Sequence, residues 1–348
     1  MNINERLSIK DSDKVKVVSS DNYNFIFDKT NGLFCRWGKD FKDDPLYSPS
    51  NEILDIEVTT SCKYCCPWCY KSNNPVGKNM SFDTFKLIFD KINKSKILTQ
   101  IAFGVDAHCK SNPDIWKMME YSRENGVIPN LTIAEADDEV ATNIAKYCGV
   151  VCVSEYNDHN ICYDTCRRLM DKGMTVNIHK MLCRENFIET VNLIDNIVRD
   201  DRLKGLNAVT FLSLKQKGRG KYFNRLEDYK FIRIIKQCLE NKINFGFDSC
   251  TASKFIKTAK LLNIYDNVKN YIEPCESTLF SAYINVDGIF YPCSFCEGVN
   301  EWKEGISVID CDDFIKDVWN NERTIQFRNN LIGLVDCNNC RCCPYWNI

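Results

Sequence analysis

The chain has 348 residues, of which 44% are hydrophobic and 26% are charged, as in an ordinary globular protein. Its 45 basic and 47 acidic residues give a net charge of −2, so the composition does not indicate a polyanion-binding protein, and nucleic acid is not an expected partner. No signal peptide is recognisable, and no apolar run approaches the roughly 20 residues that span a bilayer. We therefore expect a cytoplasmic protein with no membrane contact.

The first predicted region, residues 1–50, is a small β-hairpin segment. Residues 14–38 alternate apolar and polar side chains, a pattern typical of strands with one buried face. The Asn31-Gly32 pair inside this stretch favours a tight turn. The pattern predicts a hairpin or small meander, followed by a polar link that contains proline.

The second predicted region, residues 51–245, alternates short apolar runs with helical patterns. The strand candidates are 53–59, 100–105, 127–133, 150–156, 175–182 and 207–214. The helix candidates between them include 81–95, which begins at a serine, and 113–126, which ends on a glycine. Six such alternations predict an α/β protein with a parallel sheet or barrel, whose chemistry lies at the carboxyl ends of the strands.

The third predicted region, residues 246–348, is rich in cysteine and contains a hairpin pattern around Asp287-Gly288. The whole chain has 21 cysteines, an odd number, and a reducing compartment disfavours disulfides. Isolated cysteines such as Cys148, Cys183 and Cys238 are predicted to be small buried hydrophobic residues. Two dense groups, residues 62–69 and residues 275–343, instead indicate metal binding.

The first cysteine group has the spacing C-x3-C-x2-C, formed by Cys62, Cys66 and Cys69 on the loop after the first barrel strand. A structural or electron-transfer [4Fe–4S] cluster uses four protein thiolates, so three thiolates leave one iron open. The alternative is a zinc knuckle that also uses Cys65. Two adjacent pairs with no intervening span can hardly surround one tetrahedral ion, so we interpret Cys65 as a bystander.

This motif and its position resemble those of the radical S-adenosylmethionine (SAM) superfamily. The resemblance implies a partial (β/α)6 TIM-like barrel with a [4Fe–4S] cluster on Cys62, Cys66 and Cys69. It implies that SAM chelates the open iron and is cleaved reductively to methionine and a 5′-deoxyadenosyl radical. That radical would then abstract hydrogen from a substrate.

The resemblance also implies five SAM contacts. Trp68 would lie against the adenine, and Ser154 matches a ribose-contacting position. Gly104 and Asp106 stand where the family has a Gly-Gly-Glu-like motif, so Asp106 would hold the SAM amino group with a side chain one methylene shorter. His179 on the fifth strand points to the same end, with a structural role as the alternative.

The second cysteine group begins with C-x12-G-x4-C, formed by Cys275, Gly288 and Cys293, which resembles the auxiliary-cluster extensions called SPASM and twitch domains. The ligands implied for one auxiliary [4Fe–4S] cluster of the twitch form are Cys275, Cys293, Cys337 and Cys340, with Cys343 as a substitute. The pairs 293/296 and 337/340 also have the spacing of a zinc ribbon, which stays open as an alternative.

The resemblance implies modification of a ribosomal peptide or protein by oxidation, cross-linking or epimerisation. Lys217-Gly218-Arg219-Gly220 resembles a loop common in peptide-modifying members. The implied partners are an electron donor such as flavodoxin or ferredoxin and a separate peptide-recognition protein, because residues 1–50 look too short and too β-rich for a winged helix. A small-molecule radical SAM dehydrogenase and a non-catalytic iron–sulfur electron carrier remain alternatives.

Two further expectations concern the closed site that a reactive radical needs. The amino-terminal hairpin and the carboxy-terminal region are the candidate covers of the barrel mouth. Cys109 and Cys152, near strand ends, are candidate thiol donors to a product radical, with inert core packing as the alternative.

Overall fold

The computed structural model describes residues 7–156, 158–336 and 340–346. The strands are β1 (Ser8–Asp11), β2 (Val15–Ser19), β3 (Asn24–Asp28), β4 (Phe34–Trp37), β5 (Ile53–Glu57), β6 (Gln100–Gly104), β7 (Ile128–Ile133), β8 (Val150–Ser154), β9 (Thr175–Leu182), β10 (Ala208–Ser213), β11 (Phe245–Phe247), β12 (Ser281–Ile284), β13 (Ile289–Tyr291) and β14 (Ile306–Ser307). The α-helices are α1 (Phe82–Asn93), α2 (Ile115–Glu124), α3 (Asp138–Tyr147), α4 (His159–Asp171), α5 (Phe187–Arg199), α6 (Asp228–Glu240), α7 (Ala252–Leu261), α8 (Tyr265–Val268) and α9 (Glu322–Gly333). No helix in these ranges is long and apolar enough to cross a bilayer.

Strands β5 to β10 follow one another as parallel neighbours, and helices α1 to α5 connect them. The predicted partial (β/α)6 barrel is therefore confirmed. Local sequence explains the helix positions: the Ser81 side chain accepts a hydrogen bond from the Thr84 N–H at the start of α1, and Gly126 after α2 has φ +78°.

The barrel strands place apolar and polar side chains on opposite faces. On β5, Leu54 and Ile56 are 0% and 1% exposed and belong to the main core, whereas Asp55 and Glu57 face the barrel interior. Cys148, Cys183 and Cys238 are buried as predicted. The alternation thus gives the barrel an apolar outer core and a partly polar interior.

The carboxy-terminal hairpin is present, but it extends the barrel sheet instead of forming a separate one. Strand β12 pairs in parallel with β5, with Ser281 opposite Ile53, and β13 and β14 continue the sheet in antiparallel fashion. Strand β11 extends the other edge beside β10. The sheet therefore has ten strands, whose two edges are β11 and β14.

The amino-terminal segment is an antiparallel four-stranded meander in the order β1-β2-β3-β4. Its apolar side chains form a small core with Ile97 and Ile128, at the amino ends of β6 and β7. Lys16 Nζ donates to the Leu98 carbonyl oxygen at 2.6 Å in the same place. This sheet therefore lies at the barrel end opposite the cysteine loop, and the expectation that it covers the mouth is wrong.

Candidate functional site

A cavity of about 460 Å³ lies at the carboxyl ends of the barrel strands. The predicted site residues that line it are Cys62, Cys66, Cys69, Gly104, Ser154 and His179. Lining residues that the sequence did not suggest include Asp55, Glu57, Lys71, Tyr156 and Tyr283. The structure thus brings the three-cysteine motif together with three of the five predicted SAM contacts.

The cysteine loop, residues 59–79, has both ends fixed to the barrel. Asn112 Nδ2 donates to the carbonyl oxygens of Val58 at 2.7 Å and Met80 at 2.9 Å, just outside the two ends of the loop. Inside it, the Cys62 N–H donates to the Asn74 carbonyl at 2.7 Å. The loop is therefore held in one conformation by backbone pairing and one buried amide side chain.

Arg219 lies in the Lys-Gly-Arg-Gly loop after β10 and donates hydrogen bonds to three carbonyl groups of the cysteine loop. Its Nε donates to the Cys66 carbonyl at 2.8 Å, and both terminal nitrogens donate to the Asn73 carbonyl at 3.0 Å. Its backbone N–H donates to the Cys69 carbonyl at 3.0 Å. A guanidinium presents several fixed donors at once, which suits it to hold a loop of exposed carbonyls.

The same loop also contacts the second cysteine region. Gly218 has φ +55°, and a Cβ there would lie 2.4 Å from the Tyr70 carbonyl oxygen, so only glycine fits this approach. Lys217 Nζ donates to three carbonyl oxygens after β13, those of Ser294, Phe295 and Glu297. The loop therefore connects the two cysteine regions across the open side of the barrel.

The three cysteines of the motif fit an iron–sulfur cluster with one open iron. Burial, followed by the neighbouring thiols of Cys69 and Cys62, raises the pKa of the Cys66 thiol to about 12, so ionising Cys66 near pH 7 needs a bound cation. Cys65 is exposed and does not line the cavity. Within the described ranges, no three His, Cys, Asp or Glu side chains converge as one metal ion requires. In a cluster, by contrast, each thiolate binds a different iron.

Lys71 joins the cysteine loop to the carboxy-terminal hairpin. Its Nζ lies 3.1 Å from a Glu57 carboxylate oxygen, donates to the Tyr283 hydroxyl at 2.8 Å and also pairs with Glu297. Burial raises the pKa of the Glu57 carboxyl, and Lys71 opposes this effect. This lysine is therefore committed to groups of the protein itself.

Two predicted SAM contacts do not line the cavity. The Trp68 ring lies 5.8 Å from both Tyr156 and Phe223, and its buried Nε1 has no hydrogen-bond partner in the described structure. The Asp106 carboxylate accepts from three backbone N–H groups, those of His108 at 3.2 Å, Lys110 at 3.0 Å and Ser111 at 2.8 Å. Asp106 thus stabilises the turn after β6, and its assignment to SAM stays a prediction.

His179 and Cys152 both line the cavity, whereas Cys109 is buried in the main core. Burial lowers the pKa of His179 to about 4, so its imidazole is neutral near pH 7. Burial is also the largest cause that raises the pKa of Cys152, to about 11. Cys152 is therefore a neutral thiol open to the cavity, and a role as hydrogen donor stays a prediction.

The second group of thiols differs from the predicted ligand set. Cys250, Cys275, Cys293 and Cys343 lie within electrostatic reach of one another: burial raises the pKa of Cys250 to about 12, and the other three thiols add to the rise. The ammonium group of Lys215, 5% exposed, lies among the same thiols and pairs with Asp248. Cys250 follows β11 and Cys293 follows β13, so the group spans the open side of the sheet.

Of the remaining carboxy-terminal cysteines, Cys296 lies beside the same thiols, with Cys293, Cys343 and Cys275 all within electrostatic reach, whereas Cys340 does not join them. Cys340 is 1% exposed and packs in a separate apolar cluster with Ala252 and Ile256. Cys337 lies outside the described residues. Cys296 Sγ is 3.4 Å from Cys293 Sγ, a contact that lowers the pKa of Cys293. The structure therefore brings Cys343 to Cys275 and Cys293, and it adds Cys250, whose isolated position in the sequence gave no signal.

No protein-family model and no curated protein matches the chain. Among solved structures, SuiB of Streptococcus suis bound to precursor peptide SuiA is 12% identical, with a TM-score of 0.69 over 96% of this chain and 93% of that one. SuiB bound to S-adenosylmethionine is 12% identical, with a TM-score of 0.63 over 84% of this chain and 71% of that one. A structure of anSMEcpe with AdoMet and the Cp18Cys peptide is 13% identical, with a TM-score of 0.54 over 79% and 83%.

These likenesses extend over 79–96% of the chain. At 12–13% identity they establish the fold and not the reaction. The architecture and the resemblance seen in the cysteine motif therefore agree. The chain has the partial α/β barrel fold of the radical SAM enzymes.

Proposed function

We propose that the protein is a radical SAM enzyme that modifies a ribosomal peptide or a protein side chain. The observation that carries the proposal is the placement of Cys62, Cys66 and Cys69 at one cavity, at the carboxyl ends of the barrel strands. Solved complexes of two proteins with this fold support it, since SuiB binds S-adenosylmethionine and the peptide SuiA, and anSMEcpe binds AdoMet and the Cp18Cys peptide.

Cys62, Cys66 and Cys69 are the residues that would hold a [4Fe–4S] cluster. When bound and reduced, this cluster supplies the electron that cleaves SAM to methionine and a 5′-deoxyadenosyl radical. Gly104 has no side chain to fill the space next to β5. A Cβ at this position would lie only 3.2 Å from the Glu57 Cα. Ser154 and neutral His179 offer hydrogen bonds to a cofactor without adding charge.

We also propose an auxiliary iron–sulfur centre on Cys275, Cys293 and Cys343. The fourth thiolate would come from Cys250, Cys296 or Cys337. Iron–sulfur clusters have reduction potentials from about −700 to +450 mV, so an auxiliary cluster could accept an electron from a substrate radical. It could instead serve only to stabilise this region of the fold. Flavodoxin or ferredoxin is the proposed electron donor, and a separate protein is proposed to deliver the peptide.

The test compares two cysteines of the same loop. Cys66→Ala and Cys65→Ala are purified without oxygen beside the wild type, and iron content, the electron paramagnetic resonance spectrum and 5′-deoxyadenosine formation are measured. We expect Cys66→Ala to lose one cluster and all 5′-deoxyadenosine, and Cys65→Ala to match the wild type. A wild-type cluster whose spectrum is unchanged by SAM, with no 5′-deoxyadenosine formed, would favour an electron carrier instead.

A further inference from the structure

Asp55 presents a carboxylate without a partner inside the barrel. It lies in the middle of β5, and its side chain is exposed to the cavity. Neither oxygen has a hydrogen bond or ion pair with any described residue. Glu57, two residues later on the same face, differs because it lies 3.1 Å from Lys71 Nζ and accepts from the Val286 N–H at 3.4 Å.

The cavity offers no cation to neutralise Asp55. Lys71 is the sole lysine or arginine among the described residues that line it, and Glu57, Glu297 and Tyr283 already bind its ammonium group. His179 is neutral near pH 7 because burial lowers its pKa to about 4. An unpaired charge in such a place destabilises the empty protein unless a ligand supplies the opposite charge.

The surroundings of Asp55 leave room for a side chain of a substrate. The room lies on the β6 side, where its register neighbour is Ala102 and Gly104 follows two positions later on the same face. Its register neighbour on β12 is Tyr283, whose hydroxyl already accepts from Lys71 Nζ at 2.8 Å. The amide of Asn130 on β7 is already used, because Oδ1 accepts from the Val150 N–H at 3.0 Å and Nδ2 donates to Gln100 at 2.9 Å. The carboxylate is therefore the strongest uncommitted polar group on this side of the cavity.

We propose that Asp55 binds a positively charged nitrogen of the substrate, a lysine amine or an arginine guanidinium of a peptide, and so sets which side chain enters the barrel. This inference rests on the proposed function, since it takes the cavity as the substrate site. Asp55 lies two residues inside the barrel from the end of β5, whereas the cysteine loop begins after that end. The carboxylate thus lies deeper in the barrel than the cysteine loop, where it can meet a substrate side chain.

The test uses the cluster-loaded protein with SAM and three small probes. These are the Nα-acetyl N-methylamides of lysine, of arginine and of norleucine, the last being the neutral analogue of lysine. Dissociation constants are measured for the wild type and for Asp55→Asn. Asp44→Asn, at a carboxylate that is 82% exposed, is the control for the change in net charge.

We expect the wild type and Asp44→Asn to bind the lysine or the arginine probe at least about tenfold more tightly than the norleucine probe. This ratio should fall to about two or less in Asp55→Asn, with iron content and SAM affinity unchanged. Equal binding of all three probes by the wild type would overturn the inference without using any variant. A matching loss of SAM affinity in Asp55→Asn would also overturn it, because the carboxylate would then belong to the SAM site. If the wild type does not cleave SAM, the proposed function is wrong, but this result does not by itself test the binding role of Asp55.

Discussion

Arg219 Nε donates to the Cys66 carbonyl oxygen at 2.8 Å, so a side chain on the loop after β10 fixes the backbone of a proposed cluster ligand. Replacing Arg219 by alanine removes this bond and two further bonds to Asn73. Hydrogen bonds from charged groups contribute about 1.5–3 kcal/mol each, so the cysteine loop should loosen. We expect Arg219→Ala to lose iron to a chelator several-fold faster than the wild type.

Lys221→Ala is the matched control, since Lys221 is an exposed cation two residues later. It should release iron at the wild-type rate. Equal rates for the two variants would show that Arg219 contributes only surface charge.

Gly218 permits the close contact between the same two loops. A Cβ at this position would lie 2.4 Å from the Tyr70 carbonyl oxygen, and its φ of +55° already disfavours other residues. Gly173→Ala is the control for backbone strain alone, because Gly173 has φ +82° and no heavy atom within 4 Å of the added Cβ. The strain itself costs about 1 kcal/mol.

We expect Gly218→Ala to reduce the iron bound at Cys62, Cys66 and Cys69 by half or more. Gly173→Ala should lower the melting temperature slightly and keep its iron. The measurement is iron per chain beside a thermal unfolding curve for each variant. Similar iron contents would mean that the two loops do not need this contact.

The barrel was predictable from the sequence because its signals are local. The alternation in β5 and the helical pattern of α1 each report one element and the face that it buries. Even Asp55 had a local signal, since an acid between Leu54 and Ile56 must face the interior of the barrel. The tight carboxylate-bound turn after Asp106 also follows from short-range residue types.

Long-range pairings left no such signal. The parallel pairing of β12 with β5 joins segments more than 200 residues apart, and β12 is only four residues long. Cysteine spacing suggested Cys340 as a ligand, whereas its side chain packs against Ala252 and Ile256. The position of the amino-terminal sheet likewise depends on the apolar side chains of Ile97 and Ile128, which no pattern within β1 to β4 reveals.

The second thiol group gives a test between Cys343 and Cys340. Cys343 lies within electrostatic reach of Cys293, whereas Cys340 is packed in an apolar cluster. We expect the iron content to fall from about eight irons per chain in the wild type to about four in Cys343→Ala, because one of two [4Fe–4S] clusters is lost. Cys340→Ala should keep its iron and lose stability through the cavity it leaves.

Cys250→Ala extends the same experiment to the residue that spacing did not suggest. An iron content near four would assign the fourth thiolate to Cys250, and a content near eight would leave it to Cys296 or Cys337. Zinc found in place of the second set of irons would contradict the iron–sulfur proposal for this region.

Substitutions of Asp106 test whether this residue stabilises the fold or contacts SAM. Its carboxylate accepts from the N–H groups of His108, Lys110 and Ser111 at 2.8–3.2 Å, so its removal takes away three hydrogen bonds to a charged acceptor. We expect Asp106→Ala to lose about 3 kcal/mol in free energy of unfolding, and Asp106→Asn to lose less. SAM affinity, measured below the melting temperature, should change by less than about twofold, and a much larger loss with normal stability would restore the SAM assignment.

Asp55 should make the stability of the protein depend on pH. Burial raises the pKa of its carboxyl from 3.8 to about 6, with Glu57 held by Lys71 beside it and the hydroxyls of Tyr70 and Tyr283 neutral. Because the folded pKa is the higher one, this group contributes no penalty below about pH 4, where it is protonated in both states. The loss in free energy of unfolding caused by ionising Asp55 grows as pH rises towards 6 and reaches its full value above pH 6.

Asp55→Asn should therefore stabilise the protein at pH 8 and have little effect at pH 4.5. Water in the cavity reduces the penalty, so we expect a gain of about 1 kcal/mol at pH 8. Urea unfolding at the two pH values measures it, with Asp44→Asn as the control for the change in net charge. A gain in stability together with the loss of discrimination between lysine and norleucine probes is the result expected of a carboxylate kept for binding at the expense of folding. A loss of stability at pH 8 would instead mean that Asp55 already has a partner within the folded protein.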